Sequence, residues 1–380
     1  MTPRLFWLAG SLVAYTYVGF PALVFARSAM RPLPYRRAPI TPSLSILVAA
    51  RNEAGVIATK LDNLLALDYP AERLEIIVAS DGSEDRTAEL ARARGDSRAR
   101  LLDLPRVGKA AALNAAAEQA RGELLVFTDA NSILAPDALR ALVAPFVDEH
   151  VGGVAGDQRY LATGEEAAAA RGERGYWDFE RMLKRAESRA GSVISATGAI
   201  YAIRRALFRP VPGGATDDFA LSTAVICQGR RLVFAPDAVA YEPVGASADA
   251  EFARKVRVMT RGLNGVLLRR ELLDPRRHGF YALQLFSHKV LRRLMAVPLI
   301  AMAATGARLA GRAPIYRLVP ALEATITVLG ATGLALGRRR GRGLLGLPAY
   351  FCLVNLASLK AASNVARRRR IDRWEPRREP

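Results

Sequence analysis

Four short polar clusters, each just after an apolar run, hold the residues best suited to chemistry. They are Ala50-Arg51-Asn52-Glu53, Ser80-Asp81-Gly82-Ser83, Gly108-Lys109 and Asp129-Ala130-Asn131. Asp81 is suited to accept hydrogen bonds from a base or a ribose. Lys109, at the start of a helical stretch, is suited to meet a phosphate. Asp129 is suited to hold a divalent metal, since hard cations take carboxylate oxygens and bridge phosphates. Any one cluster is ordinary turn chemistry, because Asp, Asn and Gly favour turns. Four in succession point to a site. The chain has neither GxGxxG nor GxxxxGK[ST] at these places, which weakens the usual dinucleotide and P-loop readings. A fifth acidic pair, Asp217-Asp218, taken by itself reads as an N-cap before a helix over Phe219 to Gln228.

The elements that must position these clusters alternate. Apolar runs at Leu44–Ala49, Leu74–Ala79, Arg100–Leu104 and Leu124–Thr128 read as buried strands. Helical stretches follow at Val56–Leu67, with Ile57, Leu61, Leu64 and Leu65 on one stripe, then at Thr87–Arg94, Lys109–Ala120 and Pro136–Phe146. Alternation at this spacing implies right-handed crossovers and an α/β fold with a mostly parallel sheet. Ligands bind such sheets beyond the carboxyl ends of the strands, where the four clusters fall.

Composition bounds the rest. The chain has 380 residues, 51% hydrophobic, with a formal charge of +19. Two cysteines, Cys227 and Cys352, exclude a disulfide scaffold, and three histidines show no metal-ligand spacing. The basic excess gathers beside uncharged stretches: Arg27, Arg31, Arg36 and Arg37, then Arg338 to Arg342, then Arg367 to Arg370. That is the flanking of membrane segments, so a lipid bilayer is the expected partner and nucleic acid is not. Leu5–Phe25 carries no charge and reads as a retained anchor rather than a cleaved signal, with the following residues in the cytoplasm. Three later stretches, Leu294–Ala307, Leu318–Gly337 and Gly343–Leu359, leave three or four spans in all. The expected division is an anchor over 1–30, a catalytic domain over 40–262, an interfacial region over 263–293, transmembrane helices over 294–362 and a basic tail over 363–380. Pro32 to Pro39 reads as a short linker, and His288 as structural.

In order and spacing the clusters resemble family 2 glycosyltransferases, in the branch containing cellulose, hyaluronan and poly-N-acetylglucosamine synthases. The resemblance runs from about Leu44 to Arg261. It adds Lys109 followed by Ala-Ala-Ala-Leu-Asn114, Thr128-Asp129-Ala130-Asn131, Thr197-Gly198-Ala199 and Thr216-Asp217-Asp218. It implies a GT-A fold, which is Rossmann-like, and a nucleotide-sugar donor, usually UDP-linked. It places Ala50, Arg51, Asn52, Glu53, Asp81, Lys109, Asp129 and Arg257 on the donor side, and Thr197, Gly198 and Asp217 on the acceptor side. Asp129 and Asn131 would hold Mg2+ or Mn2+, with Asn131 where the family usually has a second Asp. Asp218 matches the catalytic carboxylate, the base that takes the acceptor hydroxyl proton during an inverting transfer. The family's Gln-x-x-Arg-Trp element is matched only by Arg254-Lys255-Val256-Arg257-Val258, with Gln and Trp both replaced and Arg261 a second basic candidate.

These features together describe a membrane-anchored enzyme of polysaccharide biosynthesis that moves a sugar to a glycan or lipid-linked acceptor. The competing readings are a polyprenyl-phosphate glycosyltransferase and a catalytically silent nucleotide-sugar-binding subunit of an export complex. Tyr176, Trp177 and Phe179 read as core aromatics, or else as a platform for an acceptor.

Overall fold

The structure is a computed structural model describing residues 2–161, 166–213, 215–243, 248–336 and 345–369, with side chains outside 161–177 and 243–250. The chain divides into two compact units, one of Met30–Leu161 and Lys184–Val244, the other of Met1–Ala29, Ala162–Leu183 and Gly245–Arg370.

The first unit is built on one eight-stranded sheet. Its strands are β1 (Leu44–Ala50), β2 (Leu74–Asp81), β3 (Ala99–Leu104), β4 (Leu124–Phe127), β5 (Ile133–Leu134), β6 (Val151–Leu161), β7 (Tyr201–Arg204) and β8 (Arg231–Pro243), in the order β3-β2-β1-β4-β7-β6-β8-β5. β3, β2, β1 and β4 are mutually parallel, with Leu44 opposite both Leu74 and Leu124. All seven residues of β1 are buried, as a strand covered on both faces requires. Crossover helices follow at Ile57–Leu65, Thr87–Arg92 and Lys109–Gln119. The first buries Ile57, Leu61 and Leu64 at helical spacing and, on the same face, Lys60.

The four expected strands and their helices are present, with ends moved by a few residues. The expected helix over Pro136–Phe146 is an α-helix over Ala138–Val143 continued by a 3₁₀ turn over Ala144–Val147. Beyond β4 the sheet is mixed. β7 runs antiparallel to both β4 and β6, β6 pairs parallel with β8, and β5 pairs antiparallel with β8. The segment read as a linker is laid along the first unit. Tyr35 donates its hydroxyl proton to the Phe234 carbonyl at 2.9 Å, and Arg231 donates to the Leu33 carbonyl at 2.8 Å.

In the second unit, the helix over Thr2–Met30, with a π-helical turn at Tyr15–Gly19, and the helix over Ile315–Leu336 are long and apolar enough to cross a membrane. The segments Phe280–Leu294 and Ala296–Leu309 meet that standard only together, bent by 53°. The expected span over Gly343–Leu359 falls partly outside the described residues. The helix there runs Gly346–Ala366, carries Asn355 and Lys360, and is not among the helices apolar enough to span. The Arg338–Arg342 loop and the tail from Arg370 lie outside the described residues. Inside this unit Glu180 accepts from Arg292 at 2.6 Å and lies 3.3 Å from His288 Nε2, giving His288 the structural setting expected for it. Burial opposes the Glu180 charge, but His288 and Arg292 hold its carboxyl well below the usual range.

Gly122, just before β4, tests how tightly the parallel strands are laid. A Cβ there would lie 2.5 Å from the Ser45 amide nitrogen and 2.6 Å from the Leu44 carbonyl carbon, both backbone atoms of β1. Gly122→Ala is expected to cost about 1–3 kcal/mol by overpacking, read as a lower midpoint in thermal unfolding of the detergent-purified chain.

Candidate active site

The carboxyl ends of β1, β2 and β4 bring the predicted clusters to one edge of the first unit. At the end of β1, Ala50 is buried opposite Ser80. Arg51 is buried and donates to the carbonyls of Asp81 and Gly82, both at 2.9 Å, and to Glu84 at 3.0 Å. It thus ties down the turn after β2. Asn52 takes a left-handed conformation with φ of 51° and accepts from the Glu84 amide at 2.9 Å. The buried Glu53 donates its amide to Thr87 at 2.7 Å.

Asp81 closes β2 and is buried. Its Oδ1 accepts the amides of Val107 and Gly108, both at 2.7 Å, so it fixes the loop entering the helix Lys109–Gln119. Its second oxygen makes no hydrogen bond among the described residues. Gly82, with φ of 58°, must be glycine on two counts: the conformation is left-handed, and a Cβ would lie 2.7 Å from the Arg106 nitrogen.

Lys109 is the centre of the site. Its Nζ lies 2.7 Å from Asp129 Oδ1 and 2.9 Å from Asp217 Oδ2, one ammonium between two carboxylates. Burial disfavours the charge, but the two carboxylates prevail and hold Lys109 protonated above the usual lysine range. Lys109 opens the helix Lys109–Gln119, as expected, and its ammonium reaches across to the two aspartates. Asp129 follows β4, and its amide donates to the Gly198 carbonyl at 3.1 Å. A Cβ on Gly198 would stand 2.6 Å from Asp129 Oδ2, so only glycine leaves room for that carboxylate. The Thr197 hydroxyl oxygen beside it is buried without a hydrogen-bond partner among the described residues.

Asp217 and Asp218 open the helix Asp217–Cys227, behind Thr216 at the N-cap. Both sit in the first turn, where the helix dipole favours negative charge. Asp217 is buried against Lys109. Asp218 is half-buried, and its Oδ1 accepts the Phe219 amide at 2.7 Å. The pair thus lies one and two residues inside the helix rather than at its N-cap, and Asp217 faces the lysine.

Two buried groups of this edge escaped the sequence reading. Tyr201 in β7 stacks on Phe127 with ring centroids 4.8 Å apart, and its hydroxyl has no hydrogen-bond partner among the described residues. Burial, with the charges of Asp217, Asp218 and Asp129, raises its phenol well above the usual range. Lys60 is wholly buried and donates to Thr128 Oγ1 at 2.8 Å and to the Ser132 carbonyl at 2.5 Å. Burial lowers its pKa to about 7 against the pull of Asp129 and Glu242. The available signal was a lysine one turn from Ile57 and from Leu64 on an otherwise apolar stripe.

Arg257 lies on the helix Ala248–Leu268 of the other unit. Burial and the charges of Arg261 and Arg254 lower its pKa. The side chains of Tyr176 and Trp177 lie outside the described residues, and Phe179 is half-buried. Among the described residues no three His, Cys, Asp or Glu side chains gather as a metal cluster. The donor set is nonetheless of the right chemistry for a hard cation. The Asp129 side chain is 31% exposed and engages Lys109 through one oxygen, and the Asn131 amide makes no hydrogen bond among the described residues. Two hard oxygens so placed fit a divalent ion whose other ligands come from phosphate and water.

The family described as Glycosyltransferase like family 2 matches residues 42–273, and the chain belongs to it. The chain is 30% identical over 216 residues to an N-acetylglucosaminyltransferase of Rhizobium meliloti, covering 52% of this chain and 50% of that one. It is 28% identical over 272 residues to a poly-beta-1,6-N-acetyl-D-glucosamine synthase of Staphylococcus aureus, covering 70% and 64%. It therefore spans half to two thirds of the length of these curated relatives. Among solved structures it is similar to a mannosyltransferase of Pyrobaculum calidifontis in complex with GDP-Man and Mn2+, at 26% identity and a TM-score of 0.71, over 95% of this chain and 98% of that one. The fold is GT-A.

Lys109→Met keeps the side-chain length and removes the ammonium. It leaves Asp217 buried without its cation and is expected to destabilise the chain by about 3 kcal/mol, measured by thermal or denaturant unfolding.

Proposed function

We propose that this protein is an inverting glycosyltransferase, anchored in a membrane, that moves a sugar from a UDP-sugar to a glycan or lipid-linked acceptor. The observation that carries the reading is the ammonium of Lys109 held between Asp129 and Asp217 at the carboxyl edge of the parallel strands. That edge is where an open α/β sheet binds nucleotides. The poly-beta-1,6-N-acetyl-D-glucosamine synthase relative supports a glycan acceptor, and a UDP-linked hexosamine is the first donor to try. The mannosyltransferase solved with GDP-Man makes guanosine donors the alternative.

In the proposed reaction the acceptor hydroxyl attacks the anomeric carbon from the face opposite the nucleotide. The new C–O bond forms as the bond between that carbon and the phosphate oxygen breaks, and the nucleoside diphosphate leaves with the electron pair. Asp218 takes the hydroxyl proton. It is the more accessible of the paired aspartates, while Asp217 is held by Lys109. The free oxygen of Asp81 serves the nucleoside. Lys109 offers positive charge to the diphosphate. Thr197 and Gly198 border the acceptor side. Asp129 and Asn131 would hold Mg2+ or Mn2+, which supplies charge neutralisation for the leaving diphosphate when bound. The arginines after the first helix support a cytoplasmic catalytic unit.

The test is nucleotide release by the detergent-purified chain across UDP- and GDP-sugars with Mn2+ or Mg2+ and a glycan acceptor. One donor is expected to be turned over. Asp218→Asn is expected to lower that rate about 10²–10⁴-fold while still binding the donor. Full activity in Asp218→Asn would remove it as the base.

A further inference from the structure

A lysine on the core face of a helix needs an explanation, because a buried ammonium is costly unless it is paired. Lys60 lies among Ile57, Leu61 and Leu64, all wholly or almost wholly buried, and is itself 0% exposed. Its Nζ reaches two points of one short segment: Thr128 Oγ1 at 2.8 Å and the Ser132 carbonyl at 2.5 Å. These residues bracket Asp129-Ala130-Asn131, so the lysine spans the base of the segment like a staple. Each anchor passes the constraint on. The Thr128 hydroxyl donates to the Ala199 carbonyl at 2.7 Å, and the neighbouring Gly198 carbonyl accepts the Asp129 amide. The Ser132 hydroxyl donates to Glu242 Oε1 at 2.8 Å, and Gln158 donates to Glu242 Oε2 at 2.6 Å. The segment is thereby tied to the turn before β7 and to the ends of β6 and β8.

We infer that Lys60 is a positioning residue: through Thr128 and Ser132 it sets the separation and orientation of Asp129 and Asn131 for a divalent cation on the donor diphosphate. The inference rests on the proposed metal role of Asp129 and Asn131. Groups that orient metal ligands from behind typically change affinity or activity about 10- to 100-fold when removed.

The experiment is Mn2+ binding to the detergent-purified full chain, with UDP present, followed by loss of the free-Mn2+ EPR signal. Lys60→Met and Thr128→Val are each expected to weaken Mn2+ binding about tenfold or more. Lys60→Gln, which keeps an N–H donor, is expected to recover part of the loss. Leu64→Ala cuts a buried side chain from the same helix. It is expected to lower the unfolding temperature and leave Mn2+ affinity within about twofold, which separates positioning from general loosening. Asp129→Ala is expected to abolish the binding. If Asp129→Ala abolishes it and a folded Lys60→Met binds as tightly as wild type, the role of Lys60 is overturned while the metal reading stands. If Asp129→Ala binds as wild type does, both are overturned. Should Lys60→Met fail to fold, Thr128→Val decides by the same criterion.

Discussion

One ammonium between two carboxylates organises this site. Lys109 comes from the helix after β3, Asp129 from the end of β4 and Asp217 from the first turn of a helix far along the chain. Removing the cation would leave two carboxylates close together with little water to screen them, and like charges so placed cannot both ionise easily. The same contact joins the proposed donor side, through Asp129, to the proposed acceptor side, through Asp217. Asp218 is left beside a neutralised neighbour, and a carboxylate in that position can accept a proton.

The surrounding fold holds that contact in place. The parallel strands end together, so three loops reach one edge, and each loop is fixed by a buried polar group. Arg51 holds the turn after β2, Asp81 holds the loop before Lys109, and Lys60 holds the segment carrying Asp129. Arg51, Asp81 and Lys60 are themselves buried, where a hydrogen bond is stronger than in water. Gly198 contributes by having no side chain, since any other residue would displace the Asp129 carboxylate.

Much of this was legible from the chain. β1 to β4 are short apolar runs ended by polar clusters, and the rule that ligands sit beyond strand ends then located the edge. The later strands were not legible. β6 contains Gly152, Gly153 and Gly156, and its pairing with β8 shifts register twice, while β8 carries Pro236 and Asp237. Such bulged strands lack a clean apolar run. Residue roles were harder to read than placement. Arg51, expected on the donor side, also donates within the protein to the turn after β2. The bridge made by Lys109 joins residues far apart in sequence, which no local pattern exposes. Lys60 was overlooked because a lysine on an apolar stripe reads as a surface residue until its burial is seen.

The central claim is that Asp129 and Asp217 act as one electrostatic unit through Lys109. A double-mutant cycle tests it, using Asp129→Asn, Asp217→Asn and the double variant, read on nucleoside diphosphate affinity, which can be measured even without turnover. The account predicts strongly non-additive effects, with a coupling of about 1 kcal/mol or more. Additive losses, with each variant indifferent to the other, would contradict it.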